Sequence, residues 1–238
     1  MGEIRMETRG ACKKFFRKGR ESAQYFDAVK PTDFQLAAGE LVALKGRSGG
    51  GKSTLLNMMA GLLEPSEGAV MLDGQDLYAL DDAALSKLRN ERIGVIPQGQ
   101  TALHNLTVVQ NVTLPYLMYR EDDGVENRAM ELLDMLGIRE LADCYPSELS
   151  GGEMRRMAVA RALVCKPEAL LADEPTGDLD DENTAIVLQT LRRIADEGAA
   201  VFLVTHESAA DEYADRILRM DAGSVERGAS PDVPKNHE

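Results

Sequence analysis

The chain has 238 residues, of which 44% are hydrophobic, and a formal net charge of −13. This length is ample for a large hydrophobic core, and the composition is ordinary for a globular protein. The acidic balance argues against a broad nucleic-acid-binding surface, which requires basic patches, so no nucleic-acid partner is expected.

Compartment is indicated by three features of the sequence. The apolar runs are shorter than the roughly 20 residues that a membrane helix needs. The charged N-terminal stretch MGEIRMETRG does not resemble a secretory signal. Cys12, Cys144 and Cys165 are odd in number and widely spaced, so they fit neither a disulfide framework nor a zinc site. We expect a protein of the reducing cytoplasm that reaches a membrane only through a partner.

The N-terminal region, residues 4 to 45, alternates short β-like runs with turn residues, which predicts an antiparallel sheet. Within it, FQLAAGELVAL reads as a hairpin with Gly39 at the turn. Phe15 and Phe16 lie beside a basic group. A purine base stacks on an aromatic face, so one of the two is a candidate for the base, and a core role is equally consistent. The basic group consists of Lys13, Lys14, Arg17, Lys18 and Arg20. We interpret it as a solvated loop, in preference to a contact with lipid headgroups or nucleic acid.

The next stretch, LVALKGRSGGGKSTLL, reads as an apolar strand, a glycine-rich loop and a helix from Ser53. It fits the phosphate-binding pattern G-x-x-x-x-G-K-[ST] with Gly46, Gly51, Lys52 and Ser53. Glycines let successive backbone N–H groups point at phosphate oxygens, and the helix adds the positive end of its dipole. Lys52 would reach the β- and γ-phosphates, and the Ser53 hydroxyl would ligate Mg²⁺. A loop that only turns a strand into a helix is disfavoured, because both flanks are correct.

The middle of the chain predicts further core strands separated by helices. PSEGAVMLDGQDL reads as turn, strand and turn, and LSKLRNERIGVIPQ as a helix leading into the strand IGVI, which Gln98 follows. The stretch from Thr101 to Arg161 is predicted to be mostly helical, with Gly137 ending one helix. That helix carries apolar residues at helical spacing, namely Ala129, Leu132, Leu133 and Leu136.

A second glycine-rich helix start follows in ELSGGEMRRMAVARAL. Ser150, Gly151 and Gly152 open the helix, so its N-terminus is able to bind an anion. One chain does not need two phosphate cradles for one nucleotide. The surplus cradle therefore indicates a site shared between two chains.

The strand ALLADEP ends in two carboxylates, Asp173 and Glu174. An aspartate at a strand end is placed to hold Mg²⁺, and the adjacent glutamate is free to polarise water. Because neighbouring residues on a strand point to opposite sides, the two are expected to differ in role. A solvated acidic loop is disfavoured, since an apolar strand leads straight into it. GDLD then starts another helix, and the buried-type strand AAVFLVTH ends at His206, at the strand end where ligands of α/β proteins gather.

These motifs, in this order, resemble the nucleotide-binding subunit of an ABC transporter over about residues 4 to 225. The LSGG stretch separates that family from other P-loop enzymes such as kinases and GTPases. The resemblance implies an α/β P-loop core with an N-terminal antiparallel β subdomain and an inserted helical subdomain at about 99–161. Residues 1–225 would form the ATPase domain, and 226–238 a mobile polar tail.

The resemblance also implies ATP and Mg²⁺ as ligands and a role for each motif. The phosphate-binding loop would comprise Gly46, Arg47, Ser48, Gly49, Gly50, Gly51, Lys52, Ser53 and Thr54, with Arg47 and Gly50 where Pro and Ser are more usual. Metal ligands would be Ser53, Gln98 and Asp173. Glu174 would be the general base and His206 the contact to the γ-phosphate, with Lys52 and Gln98 completing the catalytic group. Asp180 would be the D-loop aspartate, and Ser150, Gly151 and Gly152 would contact ATP held by the opposite subunit.

Phe15, in CKKF, best matches the aromatic residue that stacks on adenine in this family. Extra residues before Ala28 leave Phe16 and Tyr25 as alternatives.

LTVVQNVTLPY and LLADEPTGDLD look most like the lipoprotein-release and macrolide-export group. That likeness implies an ATP-dependent head-to-tail homodimer on the inner face of the cell membrane, bound to a separate transmembrane permease. A soluble assembly ATPase, such as that of iron–sulfur cluster assembly, is the alternative, and LTV-x-x-NV-x-LP favours the transporter. A module that binds without catalysis is disfavoured, because Lys52, Asp173, Glu174 and His206 are all present.

Overall fold

The computed structural model describes residues 2–18, 23–99, 101–120, 124–177 and 179–227. Most of the predicted polar tail, and Arg20 of the basic group, lie outside these residues. The ten strands in the described ranges are β1 Ile4–Lys18, β2 Ala23–Ala37, β3 Leu41–Gly46, β4 Glu67–Leu72, β5 Gln75–Asp76, β6 Ile93–Ile96, β7 Ala169–Asp173, β8 Ala200–Val204, β9 Arg216–Asp221 and β10 Ser224–Arg227. The α-helices there are α1 Lys52–Met59, α2 Asp82–Arg92, α3 Val108–Leu117, α4 Val125–Met135, α5 Gly151–Leu163 and α6 Asp181–Asp196.

The larger sheet has six strands in the order β10-β9-β3-β8-β7-β6. All neighbours are parallel except β10, which runs antiparallel to β9. Strands β7 and β8 are buried along their whole length, as expected for parallel strands covered on both faces. Successive residues enter different apolar clusters: Leu203 faces the cluster that holds α3 to α6, and Phe202 faces the one that holds α1 and α2. The sheet therefore separates two halves of the core.

The smaller sheet is antiparallel, in the order β2-β1-β4-β5, as predicted for the N-terminal region. The predicted hairpin around Gly39 is wrong. Gly39 does turn the chain, with φ +77°, but β2 belongs to the small sheet, whereas β3 pairs with β8 and β9 of the large one. The cause is the difference in pattern, because β2 alternates buried and exposed residues from 31 to 36, whereas β3 is apolar on both faces and suits a central parallel position.

Two arginines and two acids join the sheets. Nη1 of Arg5 on β1 donates to Oδ1 of Asp73 at 2.8 Å and to Oε2 of Glu168 at 3.1 Å. Arg92, just before β6, also contacts both acids, with 2.9 Å between its Nε and Oε1 of Glu168. Burial opposes ionisation of Asp73, but its contacts with Arg5 prevail and lower the pKa of its carboxyl. This half-buried network of four charged groups fixes the small sheet against the amino ends of β6 and β7 in the large sheet.

The segment between β6 and β7 contains α3, α4 and α5, within the stretch predicted to be mostly helical. The four apolar residues predicted along one helix face are fully buried, and Gly137 follows α4 with φ +64°. Asn111, also fully buried, holds the loop before α3: its amide nitrogen donates to the carbonyls of Leu103, Leu106 and Thr107, and its oxygen accepts from the N–H of Leu103. One side chain thus organises the start of this helical segment.

Asn111→Ala is expected to lower the free energy of unfolding by about 2–4 kcal/mol, because it leaves buried backbone groups without partners. Asn90→Ala, which removes a single bond to the carbonyl of Pro115, is the control and should cost about 1 kcal/mol. Urea denaturation followed by circular dichroism measures both. Equal losses in the two variants would contradict this account of the loop.

Candidate active site

A cavity of about 840 Å³ opens at the carboxyl ends of β3, β6, β7 and β8. Ligands of parallel α/β proteins bind at this edge of the sheet. The structure brings most of the sequence-predicted site residues to it, and the lining includes Phe15, Gly46, Ser48, Gly49, Gly51, Lys52, Ser53, Thr54, Gln98, Asp173, Glu174 and His206. Five separate segments of the sequence therefore meet at one place.

The phosphate-binding loop is held by close backbone contacts. A Cβ on Gly46 would lie 2.1 Å from the carbonyl oxygen of Met220, and a Cβ on Gly51 would lie 2.1 Å from that of Ala28. Gly51 also has φ +104°, which favours glycine. Gly49, with φ +77°, faces open space. Gly46 and Gly51 are thus required by neighbouring strands as well as by the approach of phosphate, a reason that the sequence alone did not reveal.

Lys52 begins α1, one residue earlier than predicted. Its side chain is largely buried, and Nζ donates to the carbonyls of Gly46 at 2.8 Å and Arg47 at 3.1 Å. Gly51 caps the helix without a side-chain hydrogen bond, so backbone N–H groups of the first turn are left for a ligand. The dipole of α1 and the ammonium group make this end of the cavity suited to an anion.

Asp173, the last residue of β7, is only 6% exposed, and its Oδ1 is buried without a hydrogen-bond partner. Burial raises the pKa of the Asp173 carboxyl, although a hydrogen bond from Ser53 and the charges of Lys52 and Arg155 act in the opposite direction. A carboxylate with an orphaned oxygen beside a hydroxyl fits a hard cation such as Mg²⁺. Within the described ranges no three His, Cys, Asp or Glu residues cluster as metal ligands, so such a site would rest on this one carboxylate with hydroxyl and amide oxygens.

Glu174 corrects the expectation that the two carboxylates face opposite sides. The strand ends at Asp173, and Glu174 has φ +50°, so the alternation of a strand no longer applies and both acids line the cavity. Left-handed φ is uncommon outside glycine and concentrates at functional sites. Oε2 of Glu174 lies 2.9 Å from Nδ1 of His206. The Glu174 side chain is 13% exposed and that of His206 is 70% exposed, so the pair runs from the cavity wall towards solvent.

The aromatic candidates divide between the two faces of the β1–β2 pair. Phe15 lies opposite Phe26 with ring centroids 5.9 Å apart, and both line the cavity. Phe16 lies opposite Tyr25 on the other face, and neither lines the cavity. The structure therefore places Phe15 at the site and not the two alternatives. Phe26 was missed, and the strand register that pairs it with Phe15 was the signal that would have found it.

The second glycine-rich helix start lies outside this cavity. Ser150 caps α5, and its N–H and hydroxyl both donate to Oε2 of Glu153 at 2.7 and 2.8 Å. The bond from the Ser150 N–H lowers the pKa of the Glu153 carboxyl. Ser150 and Gly151 are exposed, and Gly152 lies beside Leu179, one residue before Asp180. These residues form a separate, largely exposed helix N-terminus outside the cavity.

Asp180 caps α6: its Oδ1 accepts from the N–H of Asn183 at 2.8 Å, and its Oδ2 accepts from the Asn183 side chain at 2.8 Å. Gln98 follows β6 through Pro97 and lines the cavity. The carbonyls on both sides of Gln98 accept hydrogen bonds from Arg155 of α5, a cavity residue that the sequence analysis also missed. No pattern in the sequence signalled it, because the contact joins distant segments.

Comparison with known proteins agrees with this arrangement. The sequence profile of the ABC transporter family matches residues 29–177. The chain is 39% identical to the lipoprotein-releasing system ATP-binding protein LolD of Xanthomonas axonopodis pv. citri, over 90% of the chain and 88% of that protein. The chain belongs to the ABC transporter family. It is therefore an ATP-binding ATPase, as the motifs predicted.

Other relatives of this ABC protein include the macrolide export ATP-binding/permease protein MacB of Shewanella oneidensis, at 40% identity over 90% of the chain but only 32% of that longer protein. A dimeric structure of the ATP-binding cassette MJ0796, bound to ADP and Pi after hydrolysis, superposes with a TM-score of 0.85 at 32% identity, covering 93% of this chain and 98% of that one. A second dimeric structure of MJ0796 gives a TM-score of 0.87 at 35% identity, covering 93% and 97%. The predicted ABC ATPase fold is confirmed. Across the described residues, no helix is long and apolar enough to cross a membrane.

Asp173→Asn is expected to stabilise the protein at neutral pH in the absence of Mg²⁺. Because burial raises the pKa of the folded-state carboxyl above the ordinary 3.8, ionisation opposes folding as pH rises through that window, and the cost persists at pH 7. Removing the charge should raise the melting temperature by about 2–4 °C, roughly 1 kcal/mol. Thermal melts with EDTA measure this. The gain in melting temperature should disappear at a pH well below 3.8, where the Asp173 carboxyl is protonated. A melting temperature of Asp173→Asn below that of wild type at pH 7.5 would contradict a raised pKa of Asp173.

Proposed function

We propose that this chain is the ATP-hydrolysing subunit that powers a separate membrane permease of an ABC transporter of the lipoprotein-release or export type. The observation that carries the proposal is the meeting of Lys52, the orphaned Asp173 carboxylate and the Glu174–His206 pair in one cavity. The names of the relatives, a lipoprotein-releasing system protein and a macrolide export ATP-binding/permease protein, support the transport role over a soluble assembly ATPase. In this role the protein lies on the inner face of the cell membrane.

The phosphates of ATP would occupy the basic end of the cavity. Lys52 exchanges its bonds to loop carbonyls for the β- and γ-phosphate oxygens, while Thr54 and the loop N–H groups bind the remaining oxygens. Ser53, Asp173 and Gln98 would hold Mg²⁺, which supplies positive charge against the phosphate oxygens when bound. Phe15 would carry the adenine ring. Residues 1–225 would act as the ATPase domain, with 99–161 as its helical subdomain and 226–238 as a tail.

Glu174 is the proposed general base. Its carboxylate is held by His206 at 2.9 Å, which fixes one oxygen and leaves the other for a water molecule. The base accepts a proton from that water as its oxygen attacks the γ-phosphate in line with the leaving group. His206, 70% exposed on its side chain, is able to reach both Glu174 and a γ-phosphate oxygen. The positive φ of Glu174 is what turns this carboxylate into the same cavity as Asp173.

Each complete site is proposed to combine two chains in a head-to-tail dimer. Ser150, Gly151 and Gly152 line no part of the chain's own cavity, although they form an exposed helix N-terminus. Gly152 lies beside Leu179 and Asn183, and the Asn183 side chain donates to Asp180, which caps α6. The two MJ0796 structures are described as dimeric. A partner's signature helix, which is its α5 with the cap residue Ser150, would therefore close the cavity over the nucleotide.

Glu174→Gln is expected to keep ATP binding and to reduce hydrolysis by about 10²–10⁴-fold, the usual contribution of a general base. The change removes the carboxylate while side-chain volume stays nearly constant. Phosphate release at saturating ATP measures the rate, and an ATP-dependent dimer should become visible by size exclusion. Glu197→Gln, the same substitution at an acid paired with Arg193 on the surface, is the control. Hydrolysis at the wild-type rate by the Glu174 variant would refute its role.

Mixing two inactive variants is expected to rebuild one active site. Lys52→Ala should weaken ATP binding at least about tenfold, because it removes the charge at the phosphates, and Ser150→Arg should block the helix end. In a head-to-tail heterodimer, Lys52 of one chain meets Ser150 of the other, so one site is intact. Trapped ATP, with heterodimers verified by mass spectrometry, is the readout. No retention of ATP in verified heterodimers would exclude a shared site.

A further inference from the structure

Arg155 connects the active cavity to the signature helix. Its Nη1 donates to the carbonyl of Pro97 at 3.2 Å and to that of Gly99 at 3.4 Å, the two residues that flank Gln98. The side chain is half-buried and lines the cavity. One guanidinium thus spans the backbone on both sides of the residue proposed to contact Mg²⁺.

A second arginine of the same helix strengthens this attachment. Nη1 of Arg161 donates to the carbonyl of Thr101 at 2.8 Å, and its Nη2 contacts the hydroxyl of the same residue. Helix α5 is therefore hydrogen-bonded to the segment after β6 through two arginines. Arg161 does not line the cavity, so Arg155 is the contact closer to the reacting groups.

The loop needs this attachment because its own backbone restrains it weakly. Gly99 has φ +89°, and a Cβ there would meet nothing within 4 Å, so the turn is open on that side. Pro97 has no N–H and is unable to donate a hydrogen bond to a neighbouring strand. The Nη1 nitrogen carries two N–H groups, so this one atom is able to hold both carbonyls at a fixed separation.

The position of Arg155 along the helix adds a second consequence. It follows Ser150 by five residues, which is about 7.5 Å along the axis of an α-helix. Ser150 caps the same helix at its exposed end. A displacement of the Gln98 loop would therefore be passed along α5 to Ser150, the residue proposed to contact the partner's nucleotide.

We propose that Arg155 is a positioning residue that sets the place of Gln98 in the cavity and couples it to the signature end of α5. The proposal rests on the proposed function, since it acts through Gln98 as a ligand of Mg²⁺. Removing Arg155 frees the loop, so Gln98 spends less time at the metal. ATP affinity, which depends on Lys52 and the phosphate-binding loop, is retained.

The test is a double-mutant cycle of Arg155→Ala and Gln98→Ala. Supporting residues behind metal ligands typically contribute about 10–100-fold in activity or metal affinity. We expect Arg155→Ala to lower kcat and to raise the Mg²⁺ concentration for half-maximal hydrolysis by about that factor, with KM for ATP within about twofold of wild type. The double variant should be no slower than Gln98→Ala alone, because both changes remove one contribution.

Two further variants separate positioning from folding. Arg155→Lys keeps the charge, but the lysine side chain ends one atom short of the Nη1 atom that contacts both carbonyls, so it should recover only part of the rate. Arg193→Ala, which removes a helix arginine paired with Glu197 on the surface, should match wild type in rate and Mg²⁺ dependence. Melting temperatures show whether each variant is folded.

The outcomes distinguish the inference from the function on which it rests. If Gln98→Ala is impaired while Arg155→Ala is normal, or if the two losses multiply, Arg155 does not act through Gln98 and only the inference fails. If Gln98→Ala itself keeps the wild-type rate and Mg²⁺ dependence, Gln98 is not a functional metal ligand, and the inference about Arg155 is also wrong. Full recovery in Arg155→Lys would show that charge alone matters, and would overturn the positioning role.

Discussion

The phosphate-binding loop depends on backbone contacts that leave no room for a side chain. Gly46 lies against the carbonyl of Met220 and Gly51 against that of Ala28, so the loop is wedged between β9 and β2. The turn after β9 continues the contact, since the N–H of Gly223 donates to the carbonyl of Gly50 and the carbonyl of Gly223 accepts from Lys30. The position of the loop is thus set by both sheets. The ion-pair network around Arg5 and Glu168 holds those sheets together at the opposite end.

The cavity contains positively charged side chains although the chain as a whole is acidic. The protein carries a net charge of −13, yet its cavity places Lys52 and Arg155 near Asp173. Burial and these cations act in opposite directions on the pKa of the Asp173 carboxyl. A divalent cation at the orphaned oxygen would relieve the cost of burying the Asp173 carboxylate, and a triphosphate would offset the charge of Lys52. Bound nucleotide and metal would therefore stabilise the folded arrangement, in which burial of the ionised Asp173 carboxylate is otherwise unfavourable.

Sequence reasoning succeeded where function imposes residue types on contiguous segments. The loop from Gly46 to Thr54, the acids at the end of β7 and the apolar face of α4 were all predicted from local pattern. The failures share a physical cause. Gly39 supplies a turn whether β3 forms a hairpin with β2 or enters the large sheet. Only the pairing of β3 with β8 and β9 decides between the two. The shared direction of Asp173 and Glu174 depends on one backbone angle, and Phe26 and Arg155 reach the site through pairing and packing between segments far apart in sequence.

The helical segment leaves the large sheet from β6, an edge strand, and returns at β7, the strand paired with it. Its removal would open no gap in the hydrogen-bonded ladder, because the two strands at its ends are already neighbours. The helices share an apolar cluster with Leu203 of the sheet, so a replacement segment would have to reproduce that packing and place an arginine beside the carbonyls that flank Gln98. Chimaeras grafted at Ile96 and Ala169 would exchange Gln98 and the helix start at Ser150 together with the helices, so they would retain the old chemistry only where the incoming segment supplies both.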